Sequence, residues 1–500
     1  MRYLPDGAQM QAADMYTIKE LGVPSLVLME RAALKVVEAI HERGIDTSKA
    51  LIVCGSGNNG GDGFAAARLL TEEGMCAEVL FAGNEASLSE ECALQKGIAE
   101  RMGIPVFTDI PEKEYTVIID AVFGVGLSRD VTGWYSEIIR WMNSQNSRKV
   151  AVDIPSGVCA GTGRILGTAF QAELTVSMAC VKAGCELFPG KSCAGETVAA
   201  PIGISPDLFR KDSGVCFTYD KTDISGLLPV RKADSHKGSY GKVLMITGSR
   251  GMAGACYLSA RSAYAVGAGL VQIYTEEDNR GVIQQLLPEA IVSSYRDYDR
   301  EQLTALLEWA DVVCIGCGLG RSEVSEKILH HTLKETDKLC IVDADGLNIL
   351  SGHMEALRHS RASVIVTPHM KEMSRLMGKN MTEIAETRIR TAEEFAKAYG
   401  AVCVLKDSRT VVAQEGHHTF LNLAGNSAMA KAGSGDVLAG VITGLAAQGM
   451  TAFDSAAAGV FLHACGGDEA RGEKGAYSVL AGDLIAGIER VLLKQDRGED

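Results

Sequence analysis

Three short stretches in the first half of the chain carry residues that could do chemistry. GSGNNGGDG (55–63) sets Asn58, Asn59 and Asp62 among glycines directly after the apolar run LIVC. Asp120 closes YTVIID and is followed by AVFGVGLSRD, while Asp153 closes KVAVD and is followed by IPSG, which brings Ser156 close behind. Glycines at such a turn let the backbone reach positive φ and approach a ligand closely. A helix that starts there offers unpaired amides to an anion. The stretch is neither a P-loop nor a dinucleotide fingerprint, because both spacings fail. Carboxylate, amide oxygen and hydroxyl are hard oxygen ligands suited to a group-one or group-two cation. A single aspartate at a strand end is ordinarily a helix cap; three polar strand ends together point to one crevice.

The second half has its own set. NSAMAKAGSGDVLAG (426–440) opens a helical run, so the amides of Gly433, Ser434 and Gly435 can converge on an anion with Asp436 in the first turn. The plainer alternative is a helix-entry turn with Asp436 as its cap. TPHMKEMSRLMG (367–378) places His369 and Glu372 after a β-rich run, LKDSRTVVA (405–413) places Lys406 at a strand end, and VDADGLN (342–348) places Asp343, Asp345 and Asn348 at another. SHKGSYG puts His236, Lys237 and Tyr240 around glycines at the start of this half. Cys314 and Cys317, in VVCIGCGLG, have the spacing of a redox or metal motif, but a lone pair in a strand-to-glycine turn reads as packing.

These residues need elements to hold them. Buried strands are predicted at 51–56, 76–83, 115–124, 148–157 and 173–179, with helical patterns between them such as 65–74. SLVLMERAALKVVEAIHERG has helical periodicity and ends at Gly44. Alternation of this kind predicts a parallel, doubly wound sheet. It weakens between about 203 and 240, where charge, glycine and proline rise, and a domain boundary is expected there. It restarts with strands predicted at 242–249, 270–275, 311–318, 338–345, 363–369 and 401–407, and closes with small-residue-rich helices. The halves share no repeat, which predicts two different domains.

The 500 residues exceed one ordinary core, and 46% hydrophobic with 22% charged residues is the composition of a globular protein. A formal net charge of −14 with no basic stretch argues against a nucleic-acid partner. The fourteen cysteines are scattered singly through apolar segments, as reduced buried thiols are. Neither a secretory signal nor an apolar stretch of membrane-spanning length stands out, so a cytoplasmic protein without a membrane partner is expected. A homo-oligomer of undefined order is expected.

NNGGDG, DAVFGVGLSRD and VDIPSG, in that order, resemble the NAD(P)H-hydrate epimerase domain over roughly 1–215. The resemblance implies an α/β chain that begins with a Rossmann-like three-layer domain, which interconverts the R and S epimers of hydrated NADH or NADPH. The hydrate would lie on Asn58, Asn59, Gly60, Gly61 and Asp62, on the loop Gly124, Val125, Gly126, Leu127, Ser128, Arg129 and Asp130, and on Asp153. A potassium ion would be held by Asn59, Asp120 and Ser156. Asp153 is the candidate general base, since epimerisation at an aminal carbon moves a proton on and off the departing hydroxyl or the ring nitrogen.

HKGSYG, GCGLG, DADGLN, TPHMKEMSRL and AGSGDVLAG are similar to the NAD(P)H-hydrate dehydratase branch of the ribokinase-like superfamily, over about 225–500. That implies a ribokinase-like α/β domain in which ADP, or ATP in some relatives, drives dehydration of the S epimer to NAD(P)H. Lys406, Asp407, Ser408, Arg409 and Thr410 would hold the nucleotide together with Asn426, Ser427, Ala428, Met429, Ala430, Lys431, Ala432, Gly433, Ser434 and Gly435. Ala255, Gly318, His369 and Asp436 would contact the hydrate, and Asp436 would take the proton of the hydroxyl to be phosphorylated. Mg2+ is expected with the nucleotide, its ligands unassigned. The anion hole alone also fits a vitamin-precursor kinase fused to a nucleotide-binding domain.

Overall fold

The computed structural model describes residues 1–211 and 214–498; Asp212 and Ser213, inside the stretch expected to separate the domains, lie outside the described residues. The chain divides into two compact units, Tyr3–Phe217 and Thr218–Asp500 with Met1–Arg2.

The first unit is built on seven strands: β1 (Ala50–Cys54), β2 (Ala77–Phe81), β3 (Val106–Phe107), β4 (Val117–Ala121), β5 (Arg148–Val152), β6 (Leu174–Met178) and β7 (Glu196–Ala200). They lie in the order β3-β2-β1-β4-β5-β6-β7, all parallel. Every residue of β1, β4 and β6 is buried, as strands covered on both faces must be. The covering helices include α1 (Gly7–Lys19), α2 (Ser25–Glu42), α3 (Asn58–Glu72), α4 (Glu90–Arg101) and α5 (Gly133–Ser144). α2 buries Leu28, Met29, Ala32, Val36 and Ile40 at helical spacing, and the chain leaves it through Gly44 at φ +60°. The chain runs outward from β1 to β2 and β3, then returns to place β4 on the other side of β1. The order of strands therefore reverses between β1 and β4, where a crevice opens beyond their carboxyl ends.

The second unit repeats this logic with other strands: β8 (Lys242–Ile246), β9 (Leu270–Glu276), β10 (Ile291–Tyr295), β11 (Val312–Ile315), β12 (Leu339–Val342), β13 (Ser363–Val366), β14 (Val402–Leu405), β15 (Val411–Ala413) and β16 (Thr419–Leu421). Within the unit they follow the order β16-β15-β14-β13-β12-β11-β8-β9-β10. β8 to β14 pair in parallel, and β14-β15-β16 close the series as an antiparallel meander that the alternation did not foretell. The order reverses between β8 and β11. Among its helices are α6 (Ala253–Ala265), α7 (Met370–Met377), α8 (Ser434–Ala447), α9 (Ala452–Lys474) and α10 (Ala481–Arg497). α8 is buried from Val437 onward and meets α6 at Gly440, where a Cβ would stand 2.1 Å from the Ser259 carbonyl. Only a glycine lets the two backbones approach so closely.

Candidate active sites

In the first unit GSGNNGGDG crosses from β1 into α3, and the helix begins inside the motif at Asn58. A Cβ on Gly55 would lie 2.1 Å from the Val122 carbonyl, and one on Gly60 would lie 2.0 Å from the Gly55 carbonyl. Gly60 and Gly61 are thus buried and shape the turn, while Asn58, Asn59 and Asp62 line a cleft of about 680 Å³. Gly57 is the N-cap of α3 and no side chain caps the helix, so first-turn amides stay open towards the cleft. Neighbouring α1 and α4 are capped, by Asp6 and Ser89. The loop after β4 forms the far wall with Gly124, Val125, Gly126, Leu127, Ser128 and Arg129; Asp130 is exposed and does not line it.

Asp153 stands at the floor of the cleft, just past β5, in the left-handed region at φ +69°. Its Oδ1 accepts the Met178 amide at 3.0 Å and the ammonium of Lys182. Lys182 has no exposed surface and also donates to the Met178 carbonyl at 2.8 Å and to Ser177 Oγ at 3.3 Å. Asp153 Oδ2 has no hydrogen bond among the described residues. Lys182 was missed in the sequence; its one signal is that it is the lone cation in TVSMACVKAGC. Asp14, on α1, also lines the cleft and was missed. Burial, with Asp153 nearby, raises the carboxyls of both Asp14 and Asp62, and raises Asp62 far.

Asp120 is fully buried at the end of β4 and does not line the cleft. Its Oδ1 accepts Ser156 Oγ at 2.7 Å and its Oδ2 accepts the Ser156 amide at 2.8 Å. The Phe123 amide donates to Ser156 Oγ at 2.8 Å. Burial outweighs these bonds and pushes the Asp120 carboxyl up to about 6. Asn59 comes to the same loop: a Cβ on Gly124 would lie 3.3 Å from its Oδ1, and its buried Nδ2 has no hydrogen-bond partner among the described residues.

In the second unit, residues from four strand ends and two helices meet. Lys406, just past β14, reaches Asp343 Oδ1 at 2.6 Å, just past β12. A Cβ on Gly435 would lie 3.4 Å from Lys406 Nζ, so the ammonium stands at the start of α8. α8 begins after Gly433 at φ +89° with no side-chain cap, which excludes Asp436 as a cap and leaves first-turn amides open. Burial and the neighbouring Asp343 push the Asp436 carboxyl up to about 6, against Cys317 and Lys406. Gly318 lies where a Cβ would meet Ala255 at 2.9 Å, so these two predicted contact residues share one wall. His369 caps α7: its Nδ1 accepts the amides of Lys371 and Glu372, while its exposed ring stays next to Lys406 across a backbone bridge.

The rest of the predicted nucleotide segment is dispersed around this point. Asp407 binds the buried Arg388 at 2.8 Å, and Arg409 bonds the Leu423 carbonyl at 3.0 Å. Asn426 is tied to Asp468 at 2.7 Å and starts the single turn Ser427–Met429. Lys431 reaches the Tyr477 carbonyl at 3.2 Å, and His463, missed in the sequence, lies buried with Nε2 3.4 Å from Ser434 Oγ. Burial drops the His463 imidazole to about 4, so it stays neutral.

The non-glycine residues with left-handed backbone among the described residues are Asp153, Ala179 and Ala344. Each follows the end of a strand next to one of the two sites, and such strain persists where the surroundings over-determine it.

Comparison with known proteins agrees with two functional units. The family model described as NAD(P)H-hydrate dehydratase matches residues 243–490, and that of the YjeF-related protein N-terminus matches 25–184. A bifunctional NAD(P)H-hydrate repair enzyme of Moorella thermoacetica is 35% identical over 511 residues, covering 98% of this chain and 96% of that protein. The enzyme of the same description from Escherichia coli is 33% identical, covering 96% and 91%. Among solved structures, an ADP/ATP-dependent NAD(P)H-hydrate dehydratase from Bacillus subtilis, co-crystallised with ATP and Mg2+, aligns with a TM-score of 0.51 at 30% identity. That alignment covers 57% of this chain and 99% of the other.

Proposed function

Because the chain belongs to the family of bifunctional NAD(P)H-hydrate repair enzymes, we propose that its two strand-end sites divide the repair, the first epimerising the hydrate and the second dehydrating it. The protein carries NAD(P)H-hydrate epimerase and ADP/ATP-dependent NAD(P)H-hydrate dehydratase functions. One observation, made twice, supports the division: an uncapped glycine-rich helix start stands near a carboxylate held by a lysine, Asp153 by Lys182 and Asp343 by Lys406.

In the first site the open amides around Asn58 to Asp62 receive the phosphates of the hydrate, and the loop Gly124 to Arg129 faces its ring. Asp153 Oδ2 takes and returns the proton that moves as the hydroxyl leaves one face of C6 and water returns to the other. A potassium ion fits Asn59, Asp120 and Ser156, because among the described residues the buried Asp120 carboxylate has only neutral donors and no cationic side chain on it. When bound, the ion neutralises that carboxylate.

In the second site, ADP lies along Lys406 to Thr410 and Asn426 to Gly435, and the hydrate lies against Ala255, Gly318, His369 and Asp436. Asp436 accepts the proton of the C6 hydroxyl while its oxygen forms a bond to the terminal phosphorus and the bond from phosphorus to the departing AMP breaks. Open amides of the first turn of α8 and the Lys406 ammonium offset charge on the transferring phosphoryl group. The phosphate then leaves C6, pushed by the ring nitrogen, and the C5 proton passes to solvent, which restores the dihydronicotinamide. Mg2+ arrives with the nucleotide and offsets its phosphate charge. ADP is the donor in this reading, with ATP an alternative one. The reading also takes the cytoplasm as the compartment and a homo-oligomer as the assembly.

Separate variants test the division. Asp153→Ala lowers R-to-S conversion by about 10²–10⁴-fold and leaves dehydration of the pure S epimer intact; Asp436→Asn does the reverse. The near-ultraviolet absorbance of regenerated NAD(P)H follows dehydration, and chromatography follows the epimers. Equal loss of both activities in either variant overturns the assignment.

A further inference from the structure

We propose that Cys317, Asp343 and Asp436 form a binding site for a thiophilic divalent cation of the Zn2+ class, and that its occupation stops dehydration. Cys317 sits on the turn after β11, Asp343 just past β12, and Asp436 in the first turn of α8. One ligand atom from each lies within 4.8 Å of the other two. Cys317 Sγ is 3.8 Å from Asp343 Oδ2, the oxygen that Lys406 leaves free by bonding Oδ1. Zn–S and Zn–O bonds of about 2.3 and 2.0 Å in a tetrahedron put ligand atoms about 3.5 Å apart. The Cys317–Asp343 pair is close to that spacing, and the carboxylate of Asp436, the one of the three not fully buried, lies beside the Cys317 thiol.

The two inner ligands are fixed by the backbone. Gly316 has φ +122°, and a Cβ there would lie 1.9 Å from the Asp343 carbonyl, so the turns after β11 and β12 are locked together. Cys317 and Asp343 therefore meet without reorganisation. A thiolate with two carboxylates suits Zn2+ or Cd2+, whereas Mg2+ seeks an all-oxygen octahedron and gains nothing from sulfur. As the Zn–S bond forms, the thiol proton passes to water and nothing is oxidised or reduced. The fourth coordination position remains for water or a phosphate oxygen. An Asp436 carboxylate bound to the cation cannot accept the proton of the substrate hydroxyl; this half of the proposal rests on the role assigned to Asp436, and the binding half does not.

The whole chain allows both halves to be tested, with Cd2+ as a spectroscopic probe and Zn2+ as inhibitor. Cd2+ added to the wild-type protein is expected to give a thiolate-to-metal absorbance band that Cys317→Ser loses and Asp436→Asn weakens. Cys76→Ser removes the exposed thiol and is expected to leave the Cys317 contribution in place. At fixed excess Mg2+–ADP, Zn2+ is expected to inhibit dehydration of the S epimer, and Cys317→Ser to raise the inhibiting concentration by about 10–100-fold, the usual effect of disturbing a metal site. Epimerisation by the same sample reports that the protein is folded and should be unaffected. An unchanged Cd2+ band and unchanged Zn2+ sensitivity in Cys317→Ser overturn the site, as does sensitivity that disappears in Cys76→Ser instead. A Cd2+ band that depends on Cys317, without any inhibition of dehydration by Zn2+, overturns the role of Asp436 in the effect and leaves the binding site standing.

Discussion

The two aspartates we propose as catalytic stand in different surroundings. Asp153 is bonded by an ammonium and an amide on one oxygen, whereas Asp436 is pushed up to about 6 by burial and Asp343. Asp436 acts as a base only when ionised, so the turnover number for dehydration should fall as pH drops through about 6. Lys406 favours the ionised form, and Lys406→Met should move that acid limb to higher pH; an unmoved limb in the variant's pH profile separates Lys406 from Asp436. Lys182→Met leaves a buried carboxylate unpaired, a change that costs about 3–5 kcal/mol when a buried pair is broken. The expected result is a lower melting temperature for the first unit and a loss of epimerisation of about 10²-fold or more, with dehydration of the S epimer kept. Asp153 and Asp436 stand out in the sequence because each follows a recognisable run in a motif. Lys182 was not, because it meets Asp153 across 29 positions of chain and only the neighbouring β5 and β6 bring them together.

Among the elements, the strand-helix alternation showed most of both sheets, since fully buried parallel strands are short apolar runs that differ plainly from amphipathic helices such as α2. The hairpin β15-β16 escaped because three-residue strands leave no period to read, and β3, with two residues, leaves less. The capping of α3 and α8 was legible only in part: AGSGD and GSGNNGGDG marked helix starts, but whether a side chain closes the first turn depends on a rotamer that no spacing predicts. Gly57 offers a direct probe. It is exposed, has extended backbone at φ −89° and has nothing within 4 Å of where a Cβ would stand. Gly57→Asp should cap α3, and with reduced freedom of the unfolded chain should add about 0.5–1 kcal/mol of stability. The added carboxylate would also occupy the open amides and repel phosphate, so epimerisation should fall as the melting temperature rises. Thermal unfolding and epimer chromatography on one sample check both directions.

At the scale of the whole molecule, the parallel strands of the two units follow one order, β3-β2-β1-β4-β5-β6-β7 in the first and β10-β9-β8-β11-β12-β13-β14 in the second, and both units place a polar edge at the point where that order reverses. Against the net charge of −14, the open amides at the starts of α3 and α8 offer anionic groups a local partner. Among the described residues no helix is long and apolar enough to cross a membrane. The order of strands within each sheet was not legible, because alternation gives strand number and direction but not which neighbour each strand finds. That order has a consequence for folding. Asn59, Asp120, Asp153 and Lys182 come from four segments that only the finished β1-β4-β5-β6 ladder sets side by side, and Asp343, Lys406 and Asp436 depend likewise on β12, β13, β14 and α8. No fragment of either sheet holds a complete site, so each activity gauges the integrity of its own unit, and the ratio of the two registers which unit has failed.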